Sequence, residues 1–443
     1  MLHTKKIKRL TSFQLISIGF SAAIILGALL LMLPVSSSSG RVTPFLDALF
    51  TSTSAVCVTG LIVRDTATYW SAFGQFVILL LIQVGGMGVV TVAVLLAAVS
   101  GKKISLMQRS TMQEAIAAPK VGGIVRLTKF IVKTALIIEL AGALAMLPVM
   151  CRDFGARGIW MAAFHSVSAF CNAGFDLMGM RSPFSSLTSY VSDPVVNITI
   201  MLLIVIGGIG FLTWDDVRNN KFHLSRYRMQ SKVILCTTAV LIILPALYFF
   251  FFEFTGFDMQ KRVFASLFQS ITPRTAGFNT VDFTGLSEAG QYIIILLMLI
   301  GGSSGSTAGG MKTNTVAVLF ATAISTFLHK EHTNCFGRRI DDDVVRNACT
   351  ILVMYIFLAV FGGIAISLIE GLPLMTCLFE AASAVGTAGL SLGITGSVGT
   401  VSRLILIVLM FFGRVGGLTL IFAALSGTKK SVGKYPLEKM TVG

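Results

Sequence analysis

Apolar residues in this chain come in long runs rather than in alternation with polar ones. Four runs occupy roughly 12–33, 128–150, 233–254 and 346–369, and four more occupy roughly 70–98, 195–213, 288–326 and 402–425. About 20 consecutive apolar residues make a helix that crosses the hydrocarbon core of a bilayer. Inside each pair lies an amphipathic stretch, at roughly 44–54, 158–169, 260–270 and 373–383. These stretches are too short to cross. The pattern predicts an all-α integral membrane protein in which span, sub-length helix and span occur four times.

Each short stretch leads into a similar window. Residues 54–61 read SAVCVTGL, 168–175 read SAFCNAGF, 271–278 read ITPRTAGF, and 383–390 read SAVGTAGL. A glycine stands at the seventh place, at Gly60, Gly174, Gly277 and Gly389. Ten residues earlier stand Phe50, Phe164, Leu267 and Phe379. The chain thus divides into repeat 1 with an N-terminal segment (1–100), repeat 2 with a preceding loop (101–214), repeat 3 (215–328), repeat 4 (329–426) and a tail (427–443).

Charge orients these spans. Only 12% of residues are charged, about half the soluble norm. The net charge of +15 does not point to nucleic acid, because 24 of the 35 Lys and Arg residues fall in five clusters between pairs of spans or at the termini. They begin at Lys5, Lys102, Arg218, Lys330 and Lys429. The positive-inside rule puts them in the cytoplasm. Eight spans with both termini inside is self-consistent, and each short helix then enters from outside and returns there. Non-helical backbone at membrane depth is tolerated only where it is buried in protein or lines a cavity. Four re-entrant loops around one axis predict a pore. No cleavable signal is expected, because the first apolar run is too long for a signal core. The seven cysteines form no CxxC pair and are expected as small buried apolar side chains.

A carbonyl-lined cation site needs unusual backbone dihedrals, which glycine supplies, and small neighbours that leave the backbone open. Val58, Thr59 and Gly60; Asn172, Ala173 and Gly174; Thr275, Ala276 and Gly277; and Thr387, Ala388 and Gly389 are the candidate selectivity residues. No acid lies within the windows, which favours backbone carbonyls and a monovalent ion over an acidic ring. The short helices would aim their negative C-terminal ends at the ion. Asp65, Asp176 and Asp282 follow the windows closely. They would either draw cations to the outer mouth or act as local caps.

The second run of repeat 3 is twice the needed length and is interrupted by Gly301, Gly302, Ser303, Ser304, Gly305, Ser306, Thr307, Ala308, Gly309 and Gly310. Each glycine disfavours a helix by roughly 1 kcal/mol, so a flexible loop (301–313) is predicted below the windows. The shorter glycine groups at 85–88 and 207–210 are expected as helix-packing motifs. Arg414 lies well inside the last span, where a charge is a functional candidate by default. It would repel cations or bond the loop carbonyls near 303–309. Lys312 would stabilise the loop or reach inward to the interface. Glu139 is expected in a helix–helix polar contact and His165 as a hydrogen-bonded helix residue.

The windows resemble those of the Trk/Ktr/HKT superfamily of potassium transporters over roughly residues 12 to 426. Within it the length and the tail Lys434-Tyr-Pro-Leu-Glu-Lys439 are similar to the membrane subunit of bacterial Ktr systems. The resemblance implies potassium uptake through a multi-pass pore in the cell membrane, with Gly60 marking potassium preference. It implies an intramembrane gating loop at 301–313, with Arg414 acting as a barrier beside it. It also implies a homodimer docked on a cytoplasmic, nucleotide-binding, KtrA-like ring. No nucleotide motif is convincing in this chain, so any nucleotide belongs to that partner. The chain itself is expected to hold no cofactor beyond its potassium substrate and to be no enzyme, since neither a Walker A motif nor a phosphorylated-aspartate signature is present. A sodium/potassium-coupled secondary transporter is the alternative.

Overall fold

Long and short helices both form where the apolar pattern predicts them, but the second runs do not continue unbroken. The computed structural model describes residues 11–99, 104–118, 120, 122–221, 223–425 and 438. Helix α1 (Ser12–Met32) starts at a capping box in which Thr11 and Gln14 exchange side-chain and backbone hydrogen bonds. It is followed by the short α2 (Phe45–Val56), then α3 (Ala72–Met87) and α4 (Val89–Val99). The linker to the second set carries α5 (Leu106–Ile116). The second set is α6 (Ile124–Phe154), the short α7 (Arg157–Phe170), α8 (Pro194–Gly208) and α9 (Phe211–Asn220). The third is α10 (Met229–Tyr248), extended by a π turn to Glu253, the short α11 (Met259–Ile271), α12 (Glu288–Leu299) and α13 (Thr313–Phe327). A two-stranded hairpin, β1 (Asn334–Cys335) and β2 (Arg338–Arg339), precedes the fourth set. That set is α14 (Asp342–Glu370), the short α15 (Leu374–Gly386), α16 (Thr400–Val415) and α17 (Gly417–Leu425).

Among the described residues, four helices are long and apolar enough to cross a bilayer: Ser12–Met32, Ile124–Phe154, Met229–Glu253 and Asp342–Glu370. They open the four sets. Their outer faces carry exposed apolar side chains, among them Leu136, Leu140 and Leu144 on α6 and Val353, Phe357 and Leu368 on α14. A surface of this kind suits a lipid solvent.

The runs that close each set are broken. Helices α3 and α4 meet at 97°, and α8 and α9 at 96°. The break residues Gly88 and Gly210 have φ of +85° and +90°, a region L residues rarely enter. Gly416 repeats the conformation between α16 and α17, with φ of +88°. In the third set the break widens into the loop between α12 and α13. The glycine groups at 85–88 and 207–210 therefore do more than the packing expected of them. Gly85 and Gly207 do pack, against the Val56 and Phe170 carbonyls respectively, but three residues later the helix turns.

Within each set the opening helix packs on its short helix, as α6 does on α7 and α14 on α15. Between sets, α3 packs on α7, α8 on α11, α12 on α15, and α16 on α2. The closing run of one set thus touches the short helix of the next, and the fourth returns to the first. The contacts form a closed ring in chain order.

Candidate functional site

The four short helices deliver their windows to one place, in one backbone conformation. Val58, Asn172, Thr275 and Thr387 each stand two residues before a window glycine, and their φ values are +56°, +59°, +69° and +50°. The glycines follow with φ of +95° at Gly60, +69° at Gly174, +81° at Gly277 and +78° at Gly389. Thr59, Ala173, Ala276 and Ala388, between them, stay outside that region. A β-branched residue at positive φ is a genuine outlier. Three of the four leading residues are β-branched, so the surroundings hold the strain, as they do at many functional sites.

Hydrogen bonds to the end of each short helix do the holding. The Thr59 amide donates to the Ser54 carbonyl, Ala173 to Ser168 and Ala388 to Ser383, each at 2.8 Å. In the third window Ala276 donates to Thr272 at 3.0 Å. Farther along, the Leu177 amide donates to His165 Nε2 at 3.2 Å, while His165 Nδ1 lies 2.7 Å from the Met161 carbonyl. His165 is thus the hydrogen-bonded helix residue expected. Glu380 on α15 occupies the matching place, nine residues before its glycine, and accepts from Thr395 at 3.1 Å and from Ser391. Around the third window Gln269 on α11 donates to Thr280 at 3.1 Å.

The glycines face one another. A Cβ placed on Gly60 would lie 2.6 Å from the Ala173 oxygen and 3.3 Å from the Cα of Gly389. One on Gly174 would lie 2.7 Å from the Ala276 oxygen, and one on Gly277 would lie 2.9 Å from the Ala388 oxygen. One on Gly389 would run into the Thr59 oxygen. Each glycine abuts the carbonyl that precedes the next glycine, in chain order, and the fourth abuts the first. The structure therefore brings the four glycines and the four carbonyls that precede them into one ring, and of the twelve candidate selectivity residues all but the half-buried Gly389 are buried.

On one side the ring opens into a cavity of about 760 Å³, lined by the four glycines, Asp176, Asp282 and Lys261 among others. Asp282 accepts from the Thr284 amide at 2.9 Å and Asp176 from the Met178 amide at 2.9 Å. Asp65 accepts from the amides of Ala67, Thr68 and Phe184. Asp282 and Asp176 serve as local caps that also border the cavity, while Asp65 caps its own turn and also ties it to the distant Phe184.

On the other side lies the glycine-rich loop. Thr307 donates its amide to the Gly207 carbonyl at 3.3 Å and its hydroxyl to the Phe170 carbonyl at 3.0 Å. The Ser303 amide reaches the Gly208 carbonyl at 2.9 Å, and Gly310 the Gly413 carbonyl at 3.2 Å. The Phe211 amide donates to the Gly305 carbonyl at 2.7 Å. Gly309 packs against the Thr387 side chain, directly at the ring. Gly302, Ser304, Ser306 and Ala308 complete the loop; Gly301 closes it by donating to the Met311 carbonyl at 2.8 Å. The other bonds just named tie the loop to the end of α8, the start of α9, the last turn of α16 or the end of the short α7.

Arg414 crosses beneath the ring. Its guanidinium donates to the carbonyls of Thr307, Gly85 and Gly86, the last at 3.1 Å. No carboxylate pairs with it among the described residues. It ties the loop to the broken end of α3. Lys312 turns into the loop, donating to the Ala308 and Gly309 carbonyls at 2.8 and 3.3 Å. Glu139 takes the helix–helix role expected: Gln83 on α3 donates to both its oxygens, at 3.0 and 3.2 Å.

Sequence reasoning missed several residues. Asp47, buried in α2, accepts from Arg64 and from Arg403 on α16, each at 2.8 Å. Arg274 is buried within the third window, with only a 3.4 Å contact from its Nη2 to Thr238 among the described residues. A charged residue inside an otherwise apolar stretch was the available signal for both. The cysteines are only partly as expected: Cys57, Cys171 and Cys377 are buried, but Cys236 and Cys349 are exposed.

Known proteins bear a resemblance over the whole fold. The profile of the family described as "TrkH: Cation transport protein" matches residues 3–431. The potassium/sodium uptake protein NtpJ of Enterococcus hirae is 39% identical over 98% of this chain and 98% of its own. The Ktr system potassium uptake protein B of Bacillus subtilis is 39% identical over 98% and 97%. Among solved structures, the potassium transporter TrkH from Vibrio parahaemolyticus superposes with a TM-score of 0.73 at 20% identity, over 95% of this chain and 86% of that one.

Proposed function

The chain belongs to the TrkH family of cation transport proteins, and from that premise we propose that it takes up potassium across the cell membrane through a carbonyl-lined pore. The observation that carries the reading is the ring of four glycines, each abutting the carbonyl before the next. Val58 to Gly60, Asn172 to Gly174, Thr275 to Gly277 and Thr387 to Gly389 are its selectivity filter. Carbonyls at the seams replace the water that a potassium ion sheds. The strained positive-φ pairs keep that backbone from relaxing around a smaller ion. The chain acts as a transporter and not as an enzyme.

The loop 301–313 is the gate, with Arg414 and Lys312 as fixed positive charges beneath the filter. A cation leaving the filter meets a charge that no carboxylate offsets, at a depth where water screens it little. In this reading the bent pairs α3–α4 and α8–α9, the loop-broken run α12–α13 and the run α16–α17 each count as one span beside the four long helices. That gives eight spans in four repeats with both termini in the cytoplasm, a reading that the clusters of Lys and Arg support. A homodimer docked on a cytoplasmic, nucleotide-binding subunit completes the assembly. Support for such a partner comes from the naming of a 39% identical relative as part of a Ktr system.

The name of the Enterococcus hirae relative, a potassium/sodium uptake protein, keeps a sodium-coupled mode in view. Flux of the purified protein in liposomes separates the two. Potassium flux that follows its own gradient, with or without sodium, is expected of the pore. Flux that stops entirely without a sodium gradient would overturn it.

A further inference from the structure

A second cavity lies away from the ring, between the start of α6 and the start of α9. It has a volume of about 300 Å³, and its wall includes Lys120, Arg126, Arg218 and Arg228 against a single acid, Asp215. Arg228 is already paired with Asp215 at 2.8 Å. Lys120, Arg126 and Arg218 have no carboxylate partner among the described residues. Arg218 instead lies over the Phe130 ring, 4.7 Å from its centre, which holds the guanidinium in place. Gly122 and Gly123 form the rim, where α6 begins with no side-chain cap. Of its first amides, that of Arg126 already donates to the Gly123 carbonyl at 3.0 Å, and among the described residues those of Ile124 and Val125 have no acceptor and can meet one. Lys120, Arg126 and Arg218 are exposed and solvated, and three such cations around one cavity make its potential positive, which favours an anion there. Leu127, Phe130 and Leu212 supply an apolar wall on the same cavity.

We propose that this cavity binds a phosphate group, of the kind carried by an anionic phospholipid headgroup or by soluble phosphate. Basic pockets between spans on the cytoplasmic side suit such headgroups, and planar guanidinium groups match phosphate oxygens. The cavity has a direct line to the loop. Its rim continues from α5, whose Ile116 carbonyl packs against Gly305 so closely that a Cβ there would collide. Its opposite wall, at Leu212, adjoins Phe211, whose amide donates to the Gly305 carbonyl at 2.7 Å. An anion in the cavity would join the two elements that grip Gly305 from either side.

The consequence for the loop rests on the gate reading, but the binding does not, so binding is measured without ion flux. The full chain is purified and titrated, under native mass spectrometry, with phosphatidylglycerol, with phosphatidylcholine and with inorganic phosphate. The triple variant Lys120→Gln, Arg126→Gln, Arg218→Gln is compared with a control triple, Lys330→Gln, Arg338→Gln, Arg339→Gln. At roughly a factor of five for each cation, phosphatidylglycerol is expected to bind about a hundredfold more weakly to the first triple. The control is expected to bind as the unaltered chain does. Competition by inorganic phosphate assigns the site to the soluble anion, and its failure assigns it to the lipid. Equal weakening in both triples, or none in either, overturns the proposal. Should the first triple not fold, Arg218→Gln alone and the charge-keeping Arg126→Lys replace it. Loss in the former with retention in the latter supports the site; equal behaviour of the two overturns it.

Discussion

Gly60 shows how little room the ring leaves. Its φ of +95° is strained for any other residue, and a Cβ would sit 2.6 Å from the Ala173 oxygen. Gly60→Ser is expected to displace that carbonyl and to lower the potassium-to-sodium permeability ratio by about tenfold, equivalent to roughly 1.4 kcal/mol of lost discrimination. Bi-ionic flux in liposomes reads the ratio, and an unchanged ratio removes Gly60 from the filter. Arg414 tests the barrier. Arg414→Ala deletes three hydrogen bonds and an unpaired charge, so basal potassium flux is expected to rise several-fold, while Arg414→Lys keeps the charge and part of the block. Flux that stays flat in the alanine variant counts against a barrier role.

At this scale the sequence was most readable at the glycines. They are spaced alike, and their neighbours are small. It was less readable at Val58, Asn172, Thr275 and Thr387, where the left-handed backbone falls on residues that do not advertise it. Tertiary hydrogen bonds impose that conformation, and no local propensity announces it.

Among the elements, the long opening helices follow directly from apolar run length, because a continuous helix satisfies all its own backbone groups. The closing runs do not follow, because composition alone treats 70–98 and 195–213 as single spans. The bends near 97° and 96° come from one glycine each, Gly88 and Gly210. Gly210→Ala is expected to cost about 1–3 kcal/mol from a positive-φ, extended backbone that side chains rarely adopt, and to straighten α8 into α9. That would pull Phe211 from the Gly305 carbonyl. A drop in thermal midpoint with altered basal flux is the expected result; a variant indistinguishable from the parent in both would mean the bend is incidental. The loop makes a parallel prediction. Deleting Ser303, Ser304 and Gly305 removes the loop's contacts with Gly208 and Phe211 and is expected to raise basal flux. A fall in flux in well-folded protein would assign the loop to support rather than closure.

For the whole molecule, the cyclic order of contacts could be guessed from four repeats, but the means of closing the ring could not. Residues 47 and 403 lie too far apart in sequence for spacing to relate them. The Asp47 carboxylate, 3% exposed, pairs with Arg64 and with Arg403 on α16. Breaking a buried pair from one side typically destabilises by about 3 kcal/mol or more. Asp47→Asn is expected to lower the thermal midpoint in detergent more than Arg64→Gln, whose side chain is 46% exposed. Equal midpoints would mean that Arg403 contributes nothing at the seam.

The seam between the first and fourth sets also sets an order of events during synthesis. Helix α2 emerges early from the ribosome, yet its partner α16 is among the last helices made. Until then the four carbonyl seams cannot all exist, and Asp47 lacks its second arginine. On the proposed reading, a nascent or prematurely terminated chain carries no complete ion path, so the membrane is not exposed to a half-built leak while the protein is being made.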